Sequence, residues 1–383
     1  VTGTKGKTTT THMIRAILQA AGKKVGMIGT TGTMIGDVVT PTLNTTPESY
    51  ELHQAFSQMV EAGCEYAVME VSSQGIKMHR TDGLYFDYGI FTNISPDHIG
   101  PGEHADFEEY LYYKTRLLNM CRIGLVNKDD EHAEQIIKAA DCELYTYSEK
   151  GKEADFSASD IRYVSQPDFV GTEFHISGKY DMEVRLGIPG LFNVVNALAA
   201  VSVCSFLDLD KEKISHALEH IRVNGRMEIV YTSERCTVLV DYAHNAVSME
   251  SLLSTLRDYK PKRLVCVFGC GGNRSKDRRY SMGEIGGKLA DLSIITADNS
   301  RYEKVEDIIA DIRGSIEKTG GSFIEIPDRR EAIRYSILQA QPGDMVAVIG
   351  KGHEDYQEIN GVRHHFLDRE VIEETVKELG EKA

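Results

Sequence analysis

Short β-rich runs alternate with helical stretches in two long series, which predicts an α/β protein with mostly parallel sheets covered by helices. Between the series the pattern changes to short alternating segments, which predicts a small antiparallel insertion; the return of the first pattern predicts a second, Rossmann-like domain. In the first series Val25–Gly29, Tyr66–Val71, Tyr88–Thr92 and Gly124–Val126 read as buried strands. Lys7–Ala21, Pro47–Ala62 and Phe107–Met120 read as the helices between them. Met13, Ile14, Ile17, Leu18 and Ala21 share one face at helical spacing, the pattern of core packing. Thr46-Pro47 has the form of a helix start, a hydroxyl cap followed by proline where its missing N–H costs nothing.

The alternating segments run from Glu143 to Leu186 and include Phe169–Ser177 and Met182–Leu186. Helical patterns resume at Phe192–Phe206 and Lys211–Ile221. The second series sets strands at Thr237–Asp241, Leu264–Phe268, Leu292–Thr296, Phe323–Ile326 and Met345–Ile349, with helices that include Glu303–Glu317 and Arg329–Gln339. Asp328 and Glu331 form a capping-box pattern. The boundary falls near Val223-Asn224-Gly225, so a central domain is expected over 1–223 and a C-terminal domain over 224–383.

The 383 residues carry 43 Lys+Arg against 58 Asp+Glu, a formal charge of −15. That balance argues against a nucleic-acid binder, which needs a basic face, but leaves room for a phosphorylated small molecule held by a few amides and one lysine. No apolar run approaches the roughly 18 residues of a membrane span. The seven cysteines (Cys64, Cys121, Cys142, Cys204, Cys236, Cys266 and Cys270) are scattered and form no C-x-x-C pair, which suits reduced thiols in a cytoplasmic protein. The chain opens on Val-Thr-Gly without Met, so it is expected to be part of a longer protein.

The sharpest motif is Gly3-Thr4-Lys5-Gly6-Lys7-Thr8-Thr9 at the head of a helix. Glycines let backbone wrap close to phosphate oxygens, and a helix N-terminus offers N–H groups and a positive dipole end. Lys7 has the reach for β/γ-phosphates and the Thr8 hydroxyl suits Mg²⁺. The general phosphate-loop pattern has Gly where this chain has Val1, so a capped helix after a glycine turn stays open as an alternative. Glu70 ends a buried strand, where an α/β sheet holds Mg²⁺, although it also reads as a polar strand terminus. Asn93, Asp97 and His98 follow the next strand at the same edge.

Further motifs follow in order: N-T-T-P at Asn44–Pro47, M-E-V-S-S at Met69–Ser73, His79-Arg80, T-N-I-S-P-D-H at Thr92–His98 and the stretch Tyr110–Lys114. Then come Gly190–Ala200, Gly225–Glu228, V-D-Y-A-H-N at Val240–Asn245, G-C-G-G-N-R at Gly269–Arg274, Asp298–Arg301 and G-K-G-H-E at Gly350–Glu354. Together they resemble the Mur ligase family, in its UDP-N-acetylmuramoyl-tripeptide synthetase branch. The resemblance covers the second and third of the family's three domains.

The resemblance implies an ATP-dependent amide ligase that adds a diamino acid, meso-diaminopimelate ahead of L-lysine, to UDP-N-acetylmuramoyl-dipeptide through an acyl phosphate. A non-catalytic nucleotide-binding paralogue and a folylpolyglutamate synthetase are the other readings. It implies Lys7, Glu70, His98 and Lys114 as catalytic residues, with Mg²⁺ held near Thr8, Glu70 and His98 and by Lys114 as a carbamate. Without the resemblance Lys114 reads as a surface lysine. Residues 3–9, Asn93, Asn196, Arg226, Asp241 and His244 are implied around ATP. Asn44, Thr45, Thr46, Ser72 and Arg80 are implied around the sugar-peptide, although Met78 stands where the family often has Gln. Arg274, Asp298, Asn299, Arg301, Gly350 and Glu354 are implied around the amino acid, where two guanidinium groups and an acidic partner suit a second ammonium-carboxylate end. The family's D-N-P-R becomes Asp298-Asn299-Ser300-Arg301 here, followed by Tyr302. A cytoplasmic monomer is expected.

Overall fold

The computed structural model describes residues 1–380. It divides into two units: one of Val1–Arg162, Thr172–Leu186 and Leu191–Ile221, the other of Tyr163–Gly171, Gly187–Gly190 and the chain from Arg222 onward. In the first unit β1 (Val25–Gly29), β2 (Gly32–Ile35), β3 (Val38–Thr40) and β4 (Tyr66–Met69) form a sheet of order β3-β2-β1-β4. β5 (Phe86–Phe91), β6 (Cys121–Asn127), β7 (Glu143–Ser148), β8 (Phe156–Gln166), β9 (Phe169–Gly178) and β10 (Met182–Leu186) form the second, of order β10-β9-β8-β7-β6-β5. Val1 and Thr2 are the seam between them. The Val1 carbonyl accepts from Val71 N at 2.8 Å, while Thr2 exchanges hydrogen bonds with Ile90 O and Thr92 N at 2.8 and 3.0 Å. The glycine-rich segment therefore leaves the middle of a parallel arrangement, at its carboxyl edge.

Two expectations change. Residues 143–186 are continuous with the main sheet: β7 and β8 extend the parallel ladder from β6, and the expected antiparallel part is its outer edge, where β9, joined to β8 across residues 167–168, pairs antiparallel with β10. The buried Tyr147 and Phe156 lie in register on β7 and β8, which ties that extension to the core. The helix expected from Pro47 is Ser49–Glu61, with Glu48 at its cap and no side-chain capping bond. Thr46 does not cap it because its hydroxyl is used elsewhere, donating to Glu70 O at 3.1 Å and accepting from Ser72 N at 2.9 Å. The helix Lys7–Ala20 buries Met13, Ile14, Ile17 and Leu18, and packs against the almost wholly buried helix Leu191–Cys204.

In the second unit β11 (Glu228–Thr232), β12 (Cys236–Asp241), β13 (Arg263–Phe268), β14 (Leu292–Ile295), β15 (Phe323–Glu325) and β16 (Asp344–Ile349) run in the order β11-β12-β16-β13-β14-β15. All pairs are parallel except β11–β12. β16 is buried at every position, as strands covered on both faces are. β17 (Tyr356–Ile359) and β18 (Val362–His365) add a separate hairpin. Asp328 caps Arg329–Leu338 by accepting from Glu331 N at 3.0 Å, as its spacing predicts. All seven cysteines are free, and no helix among the described residues is long and apolar enough to cross a membrane.

One buried ion pair fixes the carboxyl edge of this sheet. Arg329 and Asp368, both 0% exposed, meet through two hydrogen bonds of 2.8 and 2.7 Å. The same guanidinium donates to the carbonyls of Ile349 and Ala297 at 2.9 and 3.3 Å, just ahead of the loops that follow β16 and β14. Removing one charge leaves the other buried and unpaired, so Asp368→Asn is expected to destabilise the unit by about 3–5 kcal/mol in denaturant melts.

Candidate active site

The first cluster is built on the loop 3–6. Gly3 (φ 142°) and Gly6 (φ 85°) occupy backbone conformations that glycine adopts readily. A Cβ at Gly3 would stand 2.0 Å from Thr92 Oγ1, and one at Gly6 2.3 Å from Asn196 Oδ1, so both positions also need the space. The loop is pinned to the end of β5: Lys5 N donates to Asn93 Oδ1 at 2.9 Å, and Asn93 Nδ2 returns a bond to Lys5 O at 3.1 Å. Thr4 N donates to Asn93 O at 2.8 Å, and Ser95 N donates to Thr4 Oγ1 at 3.0 Å. No side chain caps the helix that follows, which leaves its N-terminal end available for an anion.

Lys7 and Lys114 both donate to the Gly3 carbonyl, each at 2.8 Å. Lys114 is 2% exposed and its ammonium lies 4.6 Å from the Tyr110 ring centroid. Burial first, then repulsion from Lys7, holds its ammonium well below the usual lysine range. Tyr110 shares a hydrogen bond with Thr4 at 3.1 Å, and burial pushes its phenol up to about 12. Thr8 donates to Glu70 at 3.1 Å, and Glu70, 1% exposed, also accepts from Thr30 N at 3.0 Å. His98 lies near Tyr110, ring centroids 6.0 Å apart, and pairs with Glu103 at 3.1 Å.

Of the residues expected at the sugar-peptide, Thr45 meets Thr30 at 3.1 Å and Ser72 caps the short helix Ser73–Lys77. Thr46 is the bridge already described, and Asn44 is half-buried beside it in sequence. Arg80 points its guanidinium at Glu48 (2.7 Å) and Thr46 O (3.1 Å), while its buried Nε has no partner. Its fork is thus held by the chain's own acceptors. Met78 is exposed.

The second cluster lies at the carboxyl ends of β12, β14 and β16. Asp241 accepts from Met227 N and Ala243 N at 2.8 and 2.7 Å, and burial raises its carboxyl above the usual range. Arg226 sits 5.0 Å over the Tyr242 ring, which also meets the His244 ring edge-on. Asn299 donates to Glu354 at 3.0 Å, and Tyr242 OH lies 3.4 Å from the same carboxylate. Arg301, in the left-handed region at φ 51°, donates to Gly272 O at 2.7 Å and pairs with Glu358 at 3.6 Å. Asp298 accepts from Asn299 N at 2.6 Å, and a Cβ on Gly350 would stand 2.9 Å from its other oxygen. Arg274 is exposed.

Residues 1–204 match the Mur ligase middle domain, and residues 225–352 match the Mur ligase glutamate ligase domain. A UDP-N-acetylmuramoyl-L-alanyl-D-glutamate--2,6-diaminopimelate ligase of Caldanaerobacter subterraneus subsp. tengcongensis is 41% identical over 384 residues, covering 99% of this chain and 77% of the relative. The chain belongs to the Mur ligase family. A ligase of the same name from Clostridium tetani is also 41% identical, over 99% of this chain and 77% of its own length. A solved structure of a ligase with that name superposes with a TM-score of 0.77 at 33% identity, over 100% of this chain and 78% of that one. A folylpolyglutamate synthase of Mycobacterium tuberculosis shares the fold alone, with a TM-score of 0.66 at 18% identity over 91% of this chain and 87% of that one.

As a Mur ligase the protein is an ATP-dependent, ADP-forming ligase, and the family uses Mg²⁺. The Thr8 hydroxyl and the Glu70 carboxylate are hard oxygen donors that suit this ion. Among the described residues no three His, Cys, Asp or Glu side chains converge into a ready-made cage. Sequence reasoning passed over Lys351, Glu358, Thr30 and Tyr110 as site residues. Lys351 carried a signal: a lysine between two glycines, just past the apolar run Met345–Ile349, is held close to a buried strand end.

The depressed Lys114 affinity has a thermal consequence. Unfolding restores an ordinary lysine, so the unfolded chain binds the extra proton and this site costs stability until pH rises through the unfolded value near 10.5. Lys114→Met is expected to raise Tm at pH 7 in CO₂-free buffer, by a margin that shrinks towards pH 10.

Proposed function

We propose that this Mur ligase adds meso-diaminopimelate to UDP-N-acetylmuramoyl-L-alanyl-D-glutamate during peptidoglycan precursor synthesis. Residues 1–223 serve as the ATP-binding domain in this reading, and 224–383 as the amino-acid-binding domain. The relatives named for that reaction support it, and the observation that carries the chemistry is the pair of lysines on the Gly3 carbonyl.

A carboxylate does not acylate an amine in water, because oxide is a poor leaving group. The acceptor carboxylate therefore attacks the γ-phosphorus of ATP, ADP departs, and an acyl phosphate results. The amino group of the diamino acid then attacks the acyl carbon, and phosphate leaves from the tetrahedral intermediate. Two anions must be brought together, so the chain's task is positioning and charge neutralisation. Lys7 and the open N–H end of the helix Lys7–Ala20 take the phosphates, with Asn93 holding the loop in shape. Mg²⁺, when bound near Thr8, Glu70 and His98, supplies further neutralisation of those phosphates.

Lys114 acts as a carbamate in this reading. Burial and Lys7 favour its neutral form over the ammonium, and the neutral nitrogen attacks CO₂ and loses a proton to water, forming an N–C bond and an anion. That anion turns the repulsion from Lys7 into attraction and would offer oxygen donors suited to Mg²⁺. Arg226, Asp241, His244 and Asn196 are assigned to ATP, and Asn44, Thr45, Thr46, Ser72 and Arg80 to the sugar-peptide. Arg274, Asp298, Asn299, Arg301, Gly350 and Glu354 are assigned to the amino acid. Two guanidinium groups favour a distal carboxylate, which diaminopimelate has and lysine lacks.

The test is ADP release from the full-length protein with each substrate withheld in turn and with diaminopimelate, lysine and ornithine compared. Release is expected only with both acceptor and diamino acid, and fastest with diaminopimelate. Equal release without the acceptor would sink the ligase reading; a preference for lysine would overturn the substrate.

A further inference from the structure

We infer that Lys351 is a positioning residue for the amino-acid step: it holds Asn299 and Glu354 in one orientation and leaves a single carboxylate oxygen, Glu354 Oε1, to receive an ammonium group of the diamino acid. The inference rests on the reading of Asn299 and Glu354 as amino-acid-binding residues. Lys351 stands one residue beyond the end of β16, after Gly350, and is 0% exposed. Gly350 and Gly352 flank it with φ of 113° and 53°, and a Cβ at Gly352 would stand 2.7 Å from Tyr242 Cβ. The backbone thus turns sharply on both sides and drives this side chain inward.

There its ammonium donates to Asn299 Oδ1 at 3.2 Å and to Glu354 Oε2 at 3.3 Å, 5.3 Å over the Tyr356 ring. The Asn299 amide can point only one way. Its oxygen takes Lys351 and, at 2.9 Å, Glu358 N, so its nitrogen faces Glu354 Oε2 at 3.0 Å. Both donors thereby converge on Oε2. Glu354 Oε1 keeps only the long 3.4 Å approach of Tyr242 OH. A half-buried carboxylate without a partner would be free to turn; beside Lys351 it becomes half of an ion pair anchored through Oε2. The substrate ammonium then meets a fixed acceptor, and Lys351 itself does not have to touch the substrate.

The experiment is steady-state ADP release by full-length Lys351→Met and Lys351→Gln, each alone and combined with Glu354→Gln. KM for diaminopimelate is expected to rise roughly tenfold or more, the scale of a lost charge-assisted hydrogen bond, with KM for ATP unchanged. In the Glu354→Gln background the Lys351 change is expected to add little, because its effect runs through that carboxylate. Parallel rises in both KM values, full additivity with Glu354→Gln, an unaltered KM for diaminopimelate, or loss of the folded state in both single variants would each overturn the inference. Wild-type enzyme that releases no ADP in response to diaminopimelate would instead sink the functional reading beneath it.

Discussion

The carbonyl oxygen of Gly3 accepts hydrogen bonds from two ammonium groups, Lys7 from the next helix turn and Lys114 from a helix more than a hundred residues along the chain. Two like charges on one uncharged acceptor repel, which favours loss of a proton from one or arrival of an anion between them. The surrounding structure enforces the contact. Gly3 sits where a Cβ would strike Thr92, the loop is pinned by Asn93, and Val1–Thr2 lie as a seam between two sheets. The helix Phe107–Thr115 brings Lys114 in from the side, under the Tyr110 ring. Strain of this electrostatic kind is what a phosphate-handling site needs before its substrates arrive.

The second unit meets its problem differently. Its cations are already paired inside the chain: Arg301 with Glu358, Lys351 with Glu354, Arg329 with Asp368. The −15 overall charge is thus no obstacle to anionic substrates, because a few cations are placed locally and the rest of the surface is acidic. The Arg329–Asp368 clamp fixes the strand ends, Lys351 fixes the side chains on the loops above them, and only the outermost groups, such as Arg274, remain exposed.

The buried parallel strands and amphipathic helices were legible in the sequence because burial on both faces or on one stripe writes an unmistakable period. The phosphate loop was legible because few other arrangements require Gly-Lys-Thr at a helix start. The hairpin β2–β3 and the hairpin β17–β18 were not, since β3 and β18 are exposed at every position and their partners are short. Nor was the continuity of β6, β7 and β8, because alternation on one strand says nothing of which neighbour it pairs with. Thr46 looked like a cap because the local signal was right, and a long-range bridge to Glu70 and Ser72 outweighed it. Lys114 shows the same limit: on its own helix it reads as a surface residue, and only the distant Gly3 loop buries it.

The proposed chemistry depends on Lys114 capturing CO₂ beside Lys7. The most direct measurement is a ¹³C NMR spectrum of the protein equilibrated with ¹³C-labelled bicarbonate. One carbamate resonance is expected in the wild type and none in Lys114→Met. A wild-type spectrum with no such resonance, or one that survives undiminished in the variant, would contradict it.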